Sequence, residues 1–188
     1  MPLLWKKNNL KVSLTWEDIC KDTDERSKQT NCEILSRLSY DKPKRLSIAM
    51  RHLDCGSCGA CEAELTSAFD PPYLADRFGL YVVATPKEAD LLGVTGAYSN
   101  NMFDAAQKTY EQMPGGRNPS PLIALIGNCA LGEGPFKNAS NCNKKRFDTE
   151  IWNHQENLIT IPGCPPPPSI IINVIIDFYL KLKKTGKK

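Results

Sequence analysis

Residues 46–65 read LSIAMRHLDCGSCGACEAEL. The first nine form a short apolar run ending at Asp54, the pattern of a buried strand. The text then changes at once to small residues carrying three cysteines, Cys55, Cys58 and Cys61. A strand that hands thiols to the loop at its C-terminal end sets the terms for the rest of the chain.

Four more apolar runs follow: GLYVVAT (79–85), DLLGVTGA (90–97), PLIALIGN (121–128) and NLITIPG (157–163). Helical patterns separate or follow them at 62–69, 102–112 and 169–182. Continuous apolar strands alternating with helices indicate a parallel sheet covered on both faces. The expected fold is therefore α/β and doubly wound, a flavodoxin-like, mostly parallel sheet flanked by helices. Pro71-Pro72, Pro114-Gly115-Gly116 and Asn118-Pro119 punctuate the loops. Residues 1–44 are mostly polar and read as an N-terminal arm, closed by Pro43, that suits docking to a partner subunit. The expected organisation is an arm (1–44), a domain (45–182) and a basic tail (183–188). The polar stretch 137–156 reads as a surface excursion.

The 188 residues are 41% hydrophobic and 24% charged, which excludes wholesale disorder. Five lysines in KLKKTGKK (181–188) outweigh the whole net charge of +3, so the body is slightly acidic. That balance argues against a nucleic-acid binder. Lys6, Lys7 and Lys11 interrupt the start, so it does not read as a signal peptide. The most apolar run, 170–180, contains Asn173 and Asp177 and falls short of the roughly 18 apolar residues of a membrane span. A reducing compartment is expected, where thiols stay free to bind metal. The tail reads as a solvated terminus, with attraction to an anionic membrane surface as the alternative.

The eight cysteines are too sparse for a disulfide scaffold, and a chain of this length needs no such staple. Three cysteine sites immediately follow predicted strands: the Cys55 cluster, Cys129 and Cys164. In an open parallel sheet all strand C-terminal ends share one edge, so positions far apart in sequence can converge there. Two thiolates three residues apart, with Cys129 and Cys164, make up the complement of one 4Fe–4S cluster. A bacterial ferredoxin run would need a cysteine where Leu65 stands. Zinc also takes four thiolates, but zinc knuckles usually bring two CxxC pairs, and here Cys129 and Cys164 stand alone. The spacing favours iron–sulfur, and a zinc-stabilised interaction module is the non-redox alternative.

The motifs DCGSCGACEAEL (54–65), GNCALGEGPF (127–136) and PGCPPPP (162–168), in this order, carry a family resemblance. With FDPPYLADRFGL (69–80) and KEADLLGVTGA (87–97) between them, residues 45–182 resemble the small, electron-transfer subunit of energy-converting, membrane-bound NiFe hydrogenases. The likeness is strongest to the formate hydrogenlyase type, in the superfamily of the complex I B subunit. The resemblance implies that Cys58, Cys61, Cys129 and Cys164 ligate one proximal 4Fe–4S cluster, with Cys55 as the rival to Cys58. It implies that the cluster exchanges electrons with a NiFe site in a partner large subunit, so the chain is an oxidoreductase component and not catalytic alone. A ferredoxin-like electron-transfer subunit and integral membrane subunits complete the implied assembly, with this chain peripheral at the cytoplasmic face of the cell (inner) membrane. Passing electrons to quinone, as a complex I-type B subunit, is the alternative.

Several residues stand outside this core reading. Glu64 is a candidate carboxylate near the cluster, and Arg51 and His52 are candidates to offset its charge. Tyr98 and the helix 170–180 read as core. His154 reads as solvated, Cys20 and Cys32 as free thiols, and Cys142 has no assigned role. The Gly-Gly common after GxC in the family is Glu133-Gly134 here.

Overall fold

The structure, a computed structural model, describes residues 46–114, 122–142 and 158–184. The expected arm, Cys20, Cys32, His154 and the last four residues lie outside that set. Strand β1 (Ile48–Asp54) opens the domain and leads into helix α1 (Ala60–Ser67). A short 3-10 turn (Ala75–Phe78) precedes β2 (Leu80–Val82). Strand β3 (Leu91–Thr95), helix α2 (Asn100–Glu111), β4 (Leu122–Ile126), β5 (Leu158–Ile161) and helix α3 (Pro168–Lys184) complete it.

All strand pairs are parallel, and the order across the sheet is β2-β1-β3-β4-β5. This is the doubly wound, flavodoxin-like order expected from the alternating pattern. The side chains divide by residue parity, as the strand pleat requires. Leu91, Ala124 and Ile126 face one core with α1 and α3, while Leu92, Ile123 and Leu125 face the other with α2. On α3, Ile171, Ile172, Ile175 and Ile176 are all buried against the first core. Pro168 starts that helix, a position where its missing N–H is no loss.

The elements differ from the sequence pattern mainly at their ends. The run 79–85 yields only three paired residues, because β2 is an edge strand with β1 as its sole partner. Tyr81 and Val82 are exposed there, and Thr85 leaves the sheet to accept the Lys87 N–H and start a 3-10 turn. Helix α1 begins two residues before the expected 62, which places Cys61 in its first turn. Gly59, with φ of 84°, makes that entry.

Truncating α3 should separate core from edge. Ile175→Ala should cost about 2–5 kcal/mol, the range for deleting a buried aliphatic side chain. Val82→Ala, half-exposed on the edge, should cost under about 0.5 kcal/mol. Urea unfolding of the two variants checks the contrast.

Candidate metal centre

The loop after β1 is built against the loop after β3. Asp54 Oδ1 accepts the N–H groups of Gly56 at 2.9 Å and Ser57 at 2.8 Å, turning the chain sharply. Cys55 N–H donates to the Thr95 carbonyl at 2.8 Å, Ala97 N–H to the Gly56 carbonyl at 3.1 Å, and Ser99 N–H to the Cys55 carbonyl at 2.8 Å. A Cβ at Gly96 would lie 2.7 Å from the Gly56 carbonyl carbon, so the two backbones meet only because residue 96 is glycine. Ser57 Oγ then accepts the Gly59 N–H at 3.0 Å, one residue before α1. Cys58 is left exposed, while Cys61 is buried under the first core.

The loops after β4 and β5 are fastened to each other. Asn128 N–H donates to the Gly163 carbonyl at 2.7 Å, and Gly163 N–H returns a bond to Asn128 Oδ1 at 2.8 Å. Gly127 N–H donates to the Ile161 carbonyl at 2.8 Å. This clamp sets Cys129 beside Cys164. Two glycines leave room for sulfur: a Cβ at Gly127 would collide with Cys61 Sγ, and one at Gly134 with Cys129 Sγ. The Glu133-Gly134 pair therefore keeps the glycine that the second position needs.

The four thiols act on one another. Burial is the main cause that pushes the Cys61 thiol up to about 11, followed by the neighbouring Cys129, Cys58 and Cys164 and then Glu62. Cys129 is raised first by burial, with Cys164 and Cys58 also raising it and the Phe136 N–H lowering it. Four sulfurs thus share one electrostatic neighbourhood at the C-terminal edge of the sheet. Among the described residues, no three His, Cys, Asp or Glu side chains converge closely enough to hold a single metal ion.

Cys55 sits elsewhere. Its side chain is fully buried in the second core, on the α2 side of the sheet, against the Tyr98 hydroxyl. Burial, more than the nearby Asp54, pushes that thiol up to about 12. Tyr98 is core, as its context suggested, but holds φ of 63°, a conformation rare for a bulky side chain. Cys142 is buried beside Cys129.

One polar group at the site's edge escaped sequence reading. Thr95, fully buried at the end of β3, donates to Glu62 Oε1 at 3.3 Å and meets His52 Nε2 at 3.0 Å. Glu62, the residue after Cys61, is therefore held at this edge of the site. Burial raises the Glu62 carboxyl, with Asp54 adding to it, and burial lowers His52. Arg51 and His52, adjacent on β1, point to opposite faces of the sheet, so only His52 reaches this group. The signal for Glu62 was present in its spacing from Cys61, but its partner Thr95 lies 33 residues away.

A doubly wound domain with a thiol cluster at its strand ends defines the class. The chain belongs to the family described as NADH ubiquinone oxidoreductase, 20 Kd subunit, whose model matches residues 58–178. This is a family of oxidoreductase subunits in which iron–sulfur binding is characteristic. The chain is 36% identical over 141 residues to the probable membrane-bound hydrogenase subunit mbhJ of Pyrococcus furiosus, covering 72% of this chain and 76% of that one. It is 33% identical over 133 residues to formate hydrogenlyase subunit 7 of Escherichia coli, covering 68% of this chain and 46% of that longer protein. The fold resembles a chain of the membrane-bound sulfane sulfur reductase, an archaeal respiratory membrane complex. That likeness has a TM-score of 0.58 at 21% identity, over 82% of this chain and 78% of the other. The NiFeSe hydrogenase of Desulfovibrio vulgaris Hildenborough shares the fold at a TM-score of 0.50 and 16% identity, over 77% and 63% of the two chains.

Burial and acidity together set an order of thiol reactivity. In the metal-free protein, iodoacetamide should label exposed Cys58 and Cys164 first and Cys55 last. A thiol held up to about 12 is roughly one part in ten thousand thiolate at pH 8. Peptide mass spectrometry over a labelling time course checks this, and equal rates for Cys55 and Cys58 would contradict the placement.

Proposed function

We propose that the chain is the iron–sulfur electron-transfer subunit of a membrane-bound hydrogenase-type complex. Cys58, Cys61, Cys129 and Cys164 are assigned as ligands of one 4Fe–4S cluster. The observation that carries the reading is the convergence of these four thiols from three loops at one sheet edge. The burial of Cys55 in the opposite core favours Cys58 as the ligand from the first loop.

A four-thiolate cluster of this kind accepts and donates one electron at a time. The chain's own residues bind and shelter it. Gly127 and Gly134 let the backbone come close to sulfur, and the Asn128–Gly163 clamp holds two ligand loops in register. Cys58 and Cys164 are exposed on this chain alone, which suits contact with a partner that completes the electron path. The named relatives from Pyrococcus and Escherichia suggest that this partner is a large subunit with a NiFe site. A ferredoxin-like electron-transfer subunit and integral membrane subunits would complete the assembly. No helix among the described residues is long and apolar enough to cross a membrane. We place the chain peripherally, at the cytoplasmic face.

The family's own description favours a second reading, in which the cluster passes electrons to quinone. Quinone-dependent activity without nickel in the purified complex would select it. Hydrogen-dependent dye reduction would select the hydrogenase.

Anaerobic purification should yield roughly four irons and four labile sulfides per chain, the content of one cubane. Cys58→Ser, Cys129→Ser and Cys164→Ser should each abolish the EPR signal of the reduced protein, whereas Cys55→Ser should keep it. One zinc without iron or sulfide would support an interaction module instead. Loss of the signal in Cys55→Ser with its retention in Cys58→Ser would reverse the ligand choice.

A further inference from the structure

Thr95 touches the first ligand loop at both of its ends. It closes β3 directly opposite Asp54 of β1 and is fully buried. Its carbonyl accepts the Cys55 N–H at 2.8 Å, where the loop begins. Its hydroxyl donates to Glu62 Oε1 at 3.3 Å, in the first turn of α1, where the loop ends. Cys58 lies between these two ties, and Cys61 is the residue before Glu62.

The hydroxyl has a second partner that fixes its direction. A threonine hydroxyl carries one proton and can accept as well as donate. With that proton on Glu62 Oε1, His52 Nε2, 3.0 Å from Thr95 Oγ1, must carry its own proton and donate. A directed chain thus runs from His52 on β1 through Thr95 on β3 to Glu62 on α1. His52 Nε2 stands 4.0 Å from Glu62 Oε1, so the hydroxyl supplies the link between them. Gly59, at the N-cap of α1, has no side chain to hold the first turn. Two other groups border the Glu62 carboxylate. Ser57 travels with the loop itself, and Asp54 Oδ1 is taken by the Gly56 and Ser57 N–H groups.

We propose that Thr95 is a positioning residue for the cluster: tied to Cys55 by its carbonyl and to Glu62 by its hydroxyl, it fixes the loop that carries Cys58 and the helix turn that carries Cys61. The inference rests on the cluster reading above. The two ties differ in what they depend on. The carbonyl bond belongs to the backbone and is kept on substitution. The hydroxyl bond belongs to the side chain, and valine, β-branched like threonine and close to it in shape, removes that bond alone.

The test compares the full chain as wild type, Thr95→Val, Thr95→Ser and His52→Leu. Each is purified anaerobically for iron, sulfide and the EPR spectrum of the reduced protein. Each is also labelled with iodoacetamide in its metal-free form and followed by peptide mass spectrometry. Thr95→Val should raise the labelling rate of Cys61 relative to Cys55 about tenfold, the factor by which losing one hydrogen bond to a charged group favours local opening. Its EPR signal should shift in g-values or be lost. Thr95→Ser, which keeps the donor, should restore both readouts. Cys55 is the internal reference, since its core and its bond to the Thr95 carbonyl are kept. An equal rise in both thiols is general loosening and overturns the inference. An unchanged ratio, or an unchanged spectrum in loaded Thr95→Val, overturns it while leaving the cluster reading intact. His52→Leu spares the buried strand end and should raise the same ratio by less. Where Thr95→Val does not fold, an unchanged ratio in His52→Leu overturns the inference. Wild-type protein without iron and sulfide fails the cluster reading itself, and the inference with it.

Discussion

Every strand of the sheet runs in the same direction, and the thiol site depends on that one constraint. In a parallel sheet the loops that leave the strands all emerge at one edge. Cys58, Cys61, Cys129 and Cys164 follow β1, β4 and β5, so strand direction alone brings them to that edge. Reversing any one of these strands would carry its cysteine to the far end of the domain. The two apolar cores hold the arrangement, and the isoleucines of α3 press β4 and β5 into place below the site.

Strand direction brings the loops near one another, but backbone contacts set the sulfurs. Gly96 lets the β3 loop touch Gly56, and Asn128 bonds both ways with Gly163. Glycine and asparagine serve here for physical reasons. A Cβ would occupy the space that the neighbouring backbone or a sulfur needs, and a side-chain amide carbonyl can take a backbone N–H from another loop. The mutual effect of the four thiols on Cys61 is the electrostatic consequence of such close placement.

The cysteines described in the structure sort by environment. Cys55 and Tyr98 belong to the α2 side of the sheet, and Cys61 belongs to the α1 and α3 side. Two cysteines six residues apart thus serve different parts of the protein, one packed as a small apolar residue and one in the thiol cluster. The family relationship gives this division a functional setting, since the relatives named above are subunits of oxidoreductase assemblies. Cys58 and Cys164 are the exposed members of that thiol group.

The sequence by itself determined the fold class and the thiol-bearing loops. Strand runs such as DLLGVTGA and PLIALIGN, buried on both faces, have a continuous apolar signature that does not depend on their neighbours. The cysteine spacing and the GxC and GCPP motifs were equally local. Tertiary structure alone decided the extent of β2, which an edge position shortens to three residues. It also drew Glu62 to the site's edge, because a buried Thr95 from another strand bonds its carboxylate. The same holds for Cys55 and Cys142. Which core a thiol enters and which carbonyl it meets depend on residues distant in sequence, and no local pattern records them.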